Sequence, residues 1–315
     1  MMVMQVKFSV VVCTYNRCEL LRELLLSLLN QSANKDTYEI IVVDNNSTDA
    51  TRLVVGEMSR KERPIVRYVE EIQQGLSFAR NAGAFKSNGK IIGYVDDDST
   101  ADSSWVDKLC KVYNDFPHVA CVGGRIEAKW PAERPDWLPQ SLERNYGVFD
   151  LGDDVKVIEY PANVLGGNIS VRKDVFLKVG GFSVKLGRSV RGLLSNEEKD
   201  FCHRIQKSGE IVMYTPHALV YHKVHSERLN EAFLLRRAYW QGISNVRLNI
   251  SSNSYTKVFL LKEGMQTLMR MLGDFYHLLR NVITGRKVSL EEKWIFLCNL
   301  GSVKENIYLG LFGKH

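Results

Sequence analysis

A chain of 315 residues, 45% hydrophobic and 25% charged, can bury one substantial core or a core with a smaller appendage, and it is neither collagenous, low-complexity nor disordered. The net charge of +6 is modest and gathers from Lys223 onward, which suits a solvated helical surface or contact with anionic headgroups or an acidic acceptor; without a nucleic-acid-binding motif, nucleic acid is not an expected partner. Six scattered cysteines with no C-x-x-C pair argue against zinc and a disulfide framework, the N-terminal apolar run is too short for a signal peptide, and no stretch approaches the ~20 apolar residues of a membrane span, so a cytoplasmic protein is expected.

Phe8 to Thr14 is a continuous apolar, β-branched run, the pattern of a strand buried on both faces. Leu21, Leu24, Leu25, Leu28 and Leu29 follow at helical spacing. Glu39 to Asp44 reads as a second buried strand ending in Asn45-Asn46-Ser47-Thr48-Asp49, where Ser47 or Thr48 is expected to cap the next helix. Ile65 to Val69 is a third strand, Gly75 to Lys86 a helix, and Lys90 to Val95 a fourth strand running into Asp96. A helix near Ser103 to Asp115 and a strand at Val119 to Gly123 complete a pattern that predicts an α/β fold, a mostly parallel sheet covered on both faces. Arg125 to Tyr160 is irregular and aromatic-rich; Gly166-Gly167-Asn168, a helix near Lys173 to Val179 and another near Glu197 to Ser208 follow. Beyond Glu227 the spacing predicts helices over Glu227 to Arg247, Tyr255 to about Thr284, and Leu290 to about Phe312.

In parallel α/β sheets ligands bind beyond the carboxyl ends of the strands, and three polar clusters sit there: Thr14-Tyr15-Asn16-Arg17, Asp44-Asn45-Asn46 and Asp96-Asp97-Asp98. Three adjacent carboxylates repel one another, so they either form a solvated turn capping the next helix at Asp102 or Ser103, or hold a hard cation such as Mg²⁺ or Mn²⁺ with substrate phosphates. A second acidic cluster, Glu197, Glu198 and Asp200, either complements a helix dipole or supplies a general base for an acceptor hydroxyl. Arg80, within Gly75 to Gly83, is either solvated or directed at an anionic donor. His222 and His225, after a strand-like Ala218 to Tyr221, read by themselves as structural or surface residues.

Together these segments, over about Phe8 to Gly242, resemble the family 2 glycosyltransferases, which have the GT-A fold. Val11 to Arg17 is similar to the family's first strand and nucleotide-binding loop; Glu39 to Asp49 to its second strand, whose aspartate (here Asp44, beside Asn46) contacts the base; Gly75 to Asn81 to the segment supplying an arginine on the nucleotide side; Asp96-x-Asp98 to its D-x-D metal motif; Gly166-Gly167-Asn168 to the acceptor and sugar-side turn. The resemblance implies inverting transfer from a nucleoside diphosphate sugar, a uridine nucleotide above others, to a saccharide or lipid-linked saccharide. It implies Mn²⁺ or Mg²⁺ on Asp98, with Asp96 on the ribose or metal, Asp97 beside them on the donor side, and His222 completing the metal site. The family's Glu-Asp pair reads Glu197-Glu198 here; alignment on Asp200 and Arg204 puts Glu198 at the base position, with Glu197 the alternative.

The expected organisation is a glycosyltransferase domain over 1–226, with a nucleotide-binding half 1–124 and an acceptor half 125–226, followed by a helical extension 227–315. The extension's apolar stripe and interspersed Lys and Arg suit packing on the host domain, peripheral docking on the cytoplasmic face of the plasma or inner membrane, or a homodimer contact. A sugar nucleotidyltransferase would need a glycine-rich loop after the first strand, where Thr14 to Cys18 has no glycine; a dehydrogenase would need G-x-G-x-x-G there; a non-enzymatic carbohydrate- or nucleotide-sugar-binding module would not need both acidic clusters.

Overall fold

A computed structural model of the chain describes residues 7–60, 63–188, 192–252 and 255–313. The first half alternates strand and helix: β1 (Phe8–Thr14), α1 (Cys18–Leu29), β2 (Tyr38–Asp44), α2 (Thr51–Met58), β3 (Ile65–Glu70), α3 (Leu76–Lys86) and β4 (Ile91–Val95). After β5 (Ser99–Ala101) come α4 (Trp105–Asp115), β6 (Val119–Lys129), β7 (Lys156–Val157), β8 (Asn168–Arg172), α5 (Lys173–Val179), α6 (Glu197–Lys207) and β9 (Ile211–Lys223). The chain closes with α7 (Glu231–Ser252), α8 (Lys257–Ile283) and α9 (Leu290–Phe312).

The strands form one sheet in the order β3-β2-β1-β4-β8-β6-β9-β5, with β7 on β9. Pairs β3/β2, β2/β1, β1/β4 and β6/β9 are parallel; β8 is antiparallel to both β4 and β6, and β5 is antiparallel to β9. The apolar run of β1 follows from its two-sided burial. Phe8, Val10 and Val12 face one core with leucines of α1 and Trp105 of α4, while Val11 faces another with Ala79 of α3 and Phe176 of α5. Each fully buried aliphatic side chain of this kind contributes roughly 1.5–3 kcal/mol, so the sheet centre holds the strand ends rigidly.

The expected mostly parallel α/β sheet is present, with differences in detail. The sixth strand continues to Lys129 rather than ending at Gly123, because its outer half pairs with β9 from Ile126 to Lys129. Residues 168–172, expected only as the exit of a turn, form β8, and β9 spans thirteen residues rather than the four from Ala218 to Tyr221. Neither Ser47 nor Thr48 caps α2: the Asp49 carboxylate accepts the Thr51 N–H at 3.0 Å, while the Ser47 hydroxyl accepts the Asn16 N–H and the Thr48 N–H goes to the Asn16 carbonyl oxygen Oδ1.

The chain divides into two compact units. The first comprises Met1–Lys129, Gly147–Val184 and Glu197–Lys223 and contains the sheet with α1 to α6; the second comprises Trp130–Tyr146, Lys185–Asn196 and Val224–His315 and contains α7 to α9. Among the described residues no helix is long and apolar enough to cross a membrane.

Candidate active site

Three loops of the first unit meet at the carboxyl ends of β1, β2 and β4. Asn16 and Asn46 both take left-handed backbone conformations (φ 52° and 68°), which asparagine tolerates better than most residues, and so turn the chain sharply off β1 and β2. The two loops are tied to each other: the Cys18 N–H at the start of α1 donates to Asp49 at 3.0 Å, and Asn16 bonds Ser47 and Thr48. Asp44 is buried; its carboxylate accepts the Ser47 N–H at 2.8 Å and the Tyr68 hydroxyl at 2.8 Å. Asn45 donates to the carbonyls of Glu71 and Gln73 and accepts the Gly75 N–H, which fixes the approach to α3 and hence to Arg80. Tyr15 remains exposed beside them.

The aspartate triplet separates into three roles. Asp97 is buried and turned inward, accepting the Thr14 hydroxyl at 2.8 Å and the Arg17 guanidinium at 2.8 Å. Burial pushes its carboxyl up to about 6, against the opposing pull of Arg17. Asp98 shares the same Arg17 nitrogen at 3.0 Å and faces His222, whose Nε2 lies 3.3 Å from Asp98 Oδ1. Strand register makes that meeting: β5 pairs Ser99 opposite His222, and the Lys223 N–H donates to the Asp98 carbonyl at 2.8 Å. Asp96 is the most accessible of the three, and its Oδ1 lies 3.4 Å from Arg80 Nη2.

Arg80 is buried on α3 and joins the two acidic clusters. Its Nη1 donates to Glu197 Oε1 at 3.0 Å, Nη2 faces Asp96, and the guanidinium lies 5.2 Å from the Phe182 ring centroid. Burial alone would favour loss of its proton; Glu197, Asp96 and Glu198 outweigh that and hold it charged. Glycines make room here. A Cβ at Gly166 would sit 2.5 Å from Arg80 Nη2, and one at Gly167 would sit 2.9 Å from Asp96 Oδ2.

Several expected site residues have other work. Asn168 is fully buried, donates to the carbonyls of Arg125 and Ala218 and accepts from the Trp105 indole, so its amide is consumed in joining strands. Asp200 is salt-bridged at 2.8 Å to Arg204, which in turn holds the carbonyls of Val179 and Gly181. The expected metal set of Asp96, Asp98 and His222 is not assembled: Asp98 and His222 meet, but Asp96 turns to Arg80, and among the described residues no three His, Cys, Asp or Glu side chains converge on one point. Tyr68 and Phe182 escaped the sequence reading, and Asn45, read there only as part of the polar cluster after β2, fixes the approach to α3.

Residues 9–180 match the sequence profile described as Glycosyl transferase family 2. The chain is 31% identical over 284 residues to the glucosyl-dolichyl phosphate glucuronosyltransferase of Haloferax volcanii, spanning 85% of this chain and 88% of that protein. It is 27% identical over 240 residues to the succinoglycan biosynthesis protein ExoM of Rhizobium meliloti, spanning 75% and 73%. Among solved structures, the mannosyltransferase PcManGT of Pyrobaculum calidifontis, in complex with GDP-Man and Mn²⁺, has a TM-score of 0.65 over 99% of this chain and 88% of that one at 18% identity, a likeness of fold.

Proposed function

The chain belongs to glycosyltransferase family 2 and has the GT-A fold, and on that premise we propose that it moves a sugar from a nucleoside diphosphate sugar, with uridine as the base, to a hydroxyl of a saccharide or lipid-linked saccharide, with inversion at the anomeric carbon. That it is a glycosyl-transfer enzyme of glycoconjugate biosynthesis follows from family and relatives; donor, acceptor and stereochemistry are the proposal. The observation that carries it is Arg80, a single buried guanidinium touching Asp96 on the donor side and, 117 residues further along the chain from the arginine, Glu197 on the acceptor helix. Donor-side and acceptor-side carboxylates are thereby held at a fixed spacing, which near-attack geometry requires.

The donor-side residues suit a divalent cation. Mg²⁺ and Mn²⁺ accept one or two protein ligands and complete their shell with water and phosphate oxygens. Asp98 Oδ1 and His222 Nε2, 3.3 Å apart, are longer than a good hydrogen bond and spaced as neighbouring ligands of one ion. When bound there, the cation would offset charge on the departing diphosphate. Asp44 and Tyr68 would receive the base, with Asn46, Asn16 and Tyr15 along the nucleoside; Thr14 and Arg17 hold Asp97 and Asp98 in place. Gly167 leaves room for the sugar beside Asp96.

Of the two candidate bases, alignment on Asp200 and Arg204 puts Glu198 at the base position. Glu197 is pinned to Arg80 and serves to position; Glu198, about 100° further around the helix, is the group proposed to take the acceptor hydroxyl's proton as that oxygen attacks opposite the nucleotide. The relative named for transfer onto glucosyl-dolichyl phosphate supports a lipid-linked acceptor. A thermal-shift screen of UDP, GDP, CDP and ADP, each with Mn²⁺ or with EDTA, tests the donor side: UDP with Mn²⁺ should stabilise most, and the absence of any nucleotide response sinks the reading. Glu198→Gln should lower kcat by about 10²- to 10⁴-fold with donor binding kept, and near wild-type turnover removes Glu198 from that role.

A further inference from the structure

Helix α8 carries an apolar stripe that no part of the described chain covers. Met265, Met269, Leu272, Tyr276, Leu279 and Ile283 recur at alternating spacings of four and three, so they lie on one face, and each is at least 46% exposed. The opposite face is the one used for packing: Leu260, Thr267, Met271 and Asn281 are buried, and Gly264 lies against Asn306 and Ile307 of α9. From Val258, also exposed, to Ile283 the stripe runs about 38 Å at 1.5 Å per residue.

The charges around the stripe have one sign. Lys262 and Arg280 lie along one edge of it, Arg270 and His277 stand further round, all four are exposed, and among the described residues none of the three permanent cations has an ion-pair partner. The two acids of the helix, Glu263 and Asp274, lie towards the packed side, where Asp274 accepts from Asn299 of α9. Arg286 and Lys287, exposed just beyond the helix, extend the basic border.

From this pattern we infer that α8 docks on an anionic phospholipid surface, with its axis in the plane of the interface and the stripe in the headgroup and acyl boundary. Self-pairing suits the same face poorly. A two-fold contact places identical patches together; an antiparallel pairing centred near Met271 would set Lys262 against Arg280. A layer of phosphodiesters neutralises these charges instead. Because the helix is interrupted by Lys262, Arg270 and Arg280, it meets no criterion for crossing the bilayer. Docking would bring the protein to lipid-linked acceptors, and only that consequence rests on the acceptor proposed above.

The test is flotation of the full chain with phosphatidylcholine vesicles, with and without phosphatidylglycerol, at low and high salt, alongside light scattering. Binding to the anionic vesicles only, falling as salt rises, is expected. Lys262→Ala and Arg280→Ala should each weaken it about fivefold, and Met269→Glu with Leu272→Glu by more than about tenfold. These residues are solvent-exposed, so circular dichroism and turnover of a water-soluble acceptor should be unchanged. No binding to anionic vesicles overturns the inference, as does binding indifferent to these substitutions. A dimer that Met269→Glu with Leu272→Glu splits, with vesicle binding intact, overturns it in favour of a contact between copies. No readout of lipid binding uses the sugar donor, so failure here is distinct from failure of the transferase reading.

Discussion

Arg80 is a full charge with almost no access to water, and its surroundings account for it: Glu197 at 3.0 Å, Asp96 at 3.4 Å and the face of Phe182. Removing one partner of a buried pair strands the other, at a cost of about 3–5 kcal/mol, whereas replacing both with apolar groups of similar volume is nearly neutral. Arg80→Met alone should therefore lower stability by that amount. The double substitution Arg80→Met with Glu197→Leu should recover most of it in urea unfolding while turnover stays low. If the double variant regains activity with stability, Arg80 is packing only and does not position the two carboxylate clusters. This link was not legible in the sequence: Asp96 to Asp98 announced themselves as carboxylates after a buried strand, but nothing local pairs a helix arginine with a glutamate 117 residues on. Asn168 is a complementary case: its amide bonds Trp105, Arg125 and Ala218, and nothing local in the sequence announces those partners.

Glu39 offers a residue-scale prediction remote from the site. It is buried on β2 and accepts from the Asn88 N–H at 2.6 Å, the Ser9 hydroxyl at 2.7 Å and Arg67 at 2.9 Å. Burial alone would raise its proton affinity; the three donors outweigh burial and leave the carboxyl below its ordinary 4.5. A group whose folded pKa is depressed stabilises the fold above its unfolded pKa, and that stability is lost as pH falls through the folded value. Glu39→Gln should lower stability by about 2 kcal/mol at neutral pH and flatten the loss below about pH 4.5. An unchanged acid limb in pH-dependent urea melts would contradict this.

At the scale of elements, α7 and α9 touch through their backbones. A Cβ at Gly242 would sit 1.8 Å from the Cys298 carbonyl oxygen, and one at Gly301 would sit 2.0 Å from that of Tyr239; the Ser302 hydroxyl donates to the Gly242 carbonyl at 3.2 Å. Alanine is intrinsically better than glycine in a helix by about 1 kcal/mol, but here the obstacle is backbone, which cannot swing aside. Gly242→Ala and Gly301→Ala should each destabilise by about 2 kcal/mol or more, read from denaturant melts followed by helical ellipticity; a gain in stability would mean the helices separate at no cost. The same contrast explains which elements could be read in advance. β1, β2 and β4 are buried on both faces and wrote largely apolar runs. β8 holds Asn168 and Ser170 inside the sheet, and β9 contains Pro216 and His217, so partners distant in sequence decide them. The register of β5, three residues long, brings His222 to Asp98, and no periodicity is measurable over three residues.

At the scale of the whole molecule, the two compact units should respond to different ligands. The proposed donor contacts, from Thr14 to Arg17, Asp44 to Asn46, Arg80 and Asp96 to Asp98, all belong to the unit that holds the sheet, and the proposed lipid-binding stripe belongs to the other. A ligand that binds only the folded form stabilises it by mass action, about 2.7 kcal/mol at a hundred times Kd, and local opening free energies report which cooperative unit receives that stabilisation. Hydrogen exchange with UDP and Mn²⁺ should therefore slow amides at the carboxyl ends of β1, β2 and β4 and at the start of α3, and leave α8 unchanged. Anionic vesicles should do the reverse, slowing α8 and leaving the strand ends as they were. Protection spreading across both units under either ligand would mean that they open as one cooperative body, and that lipid binding and donor binding are thermodynamically coupled; equal and independent responses would make membrane contact a matter of bringing enzyme and acceptor together, without any effect on donor affinity.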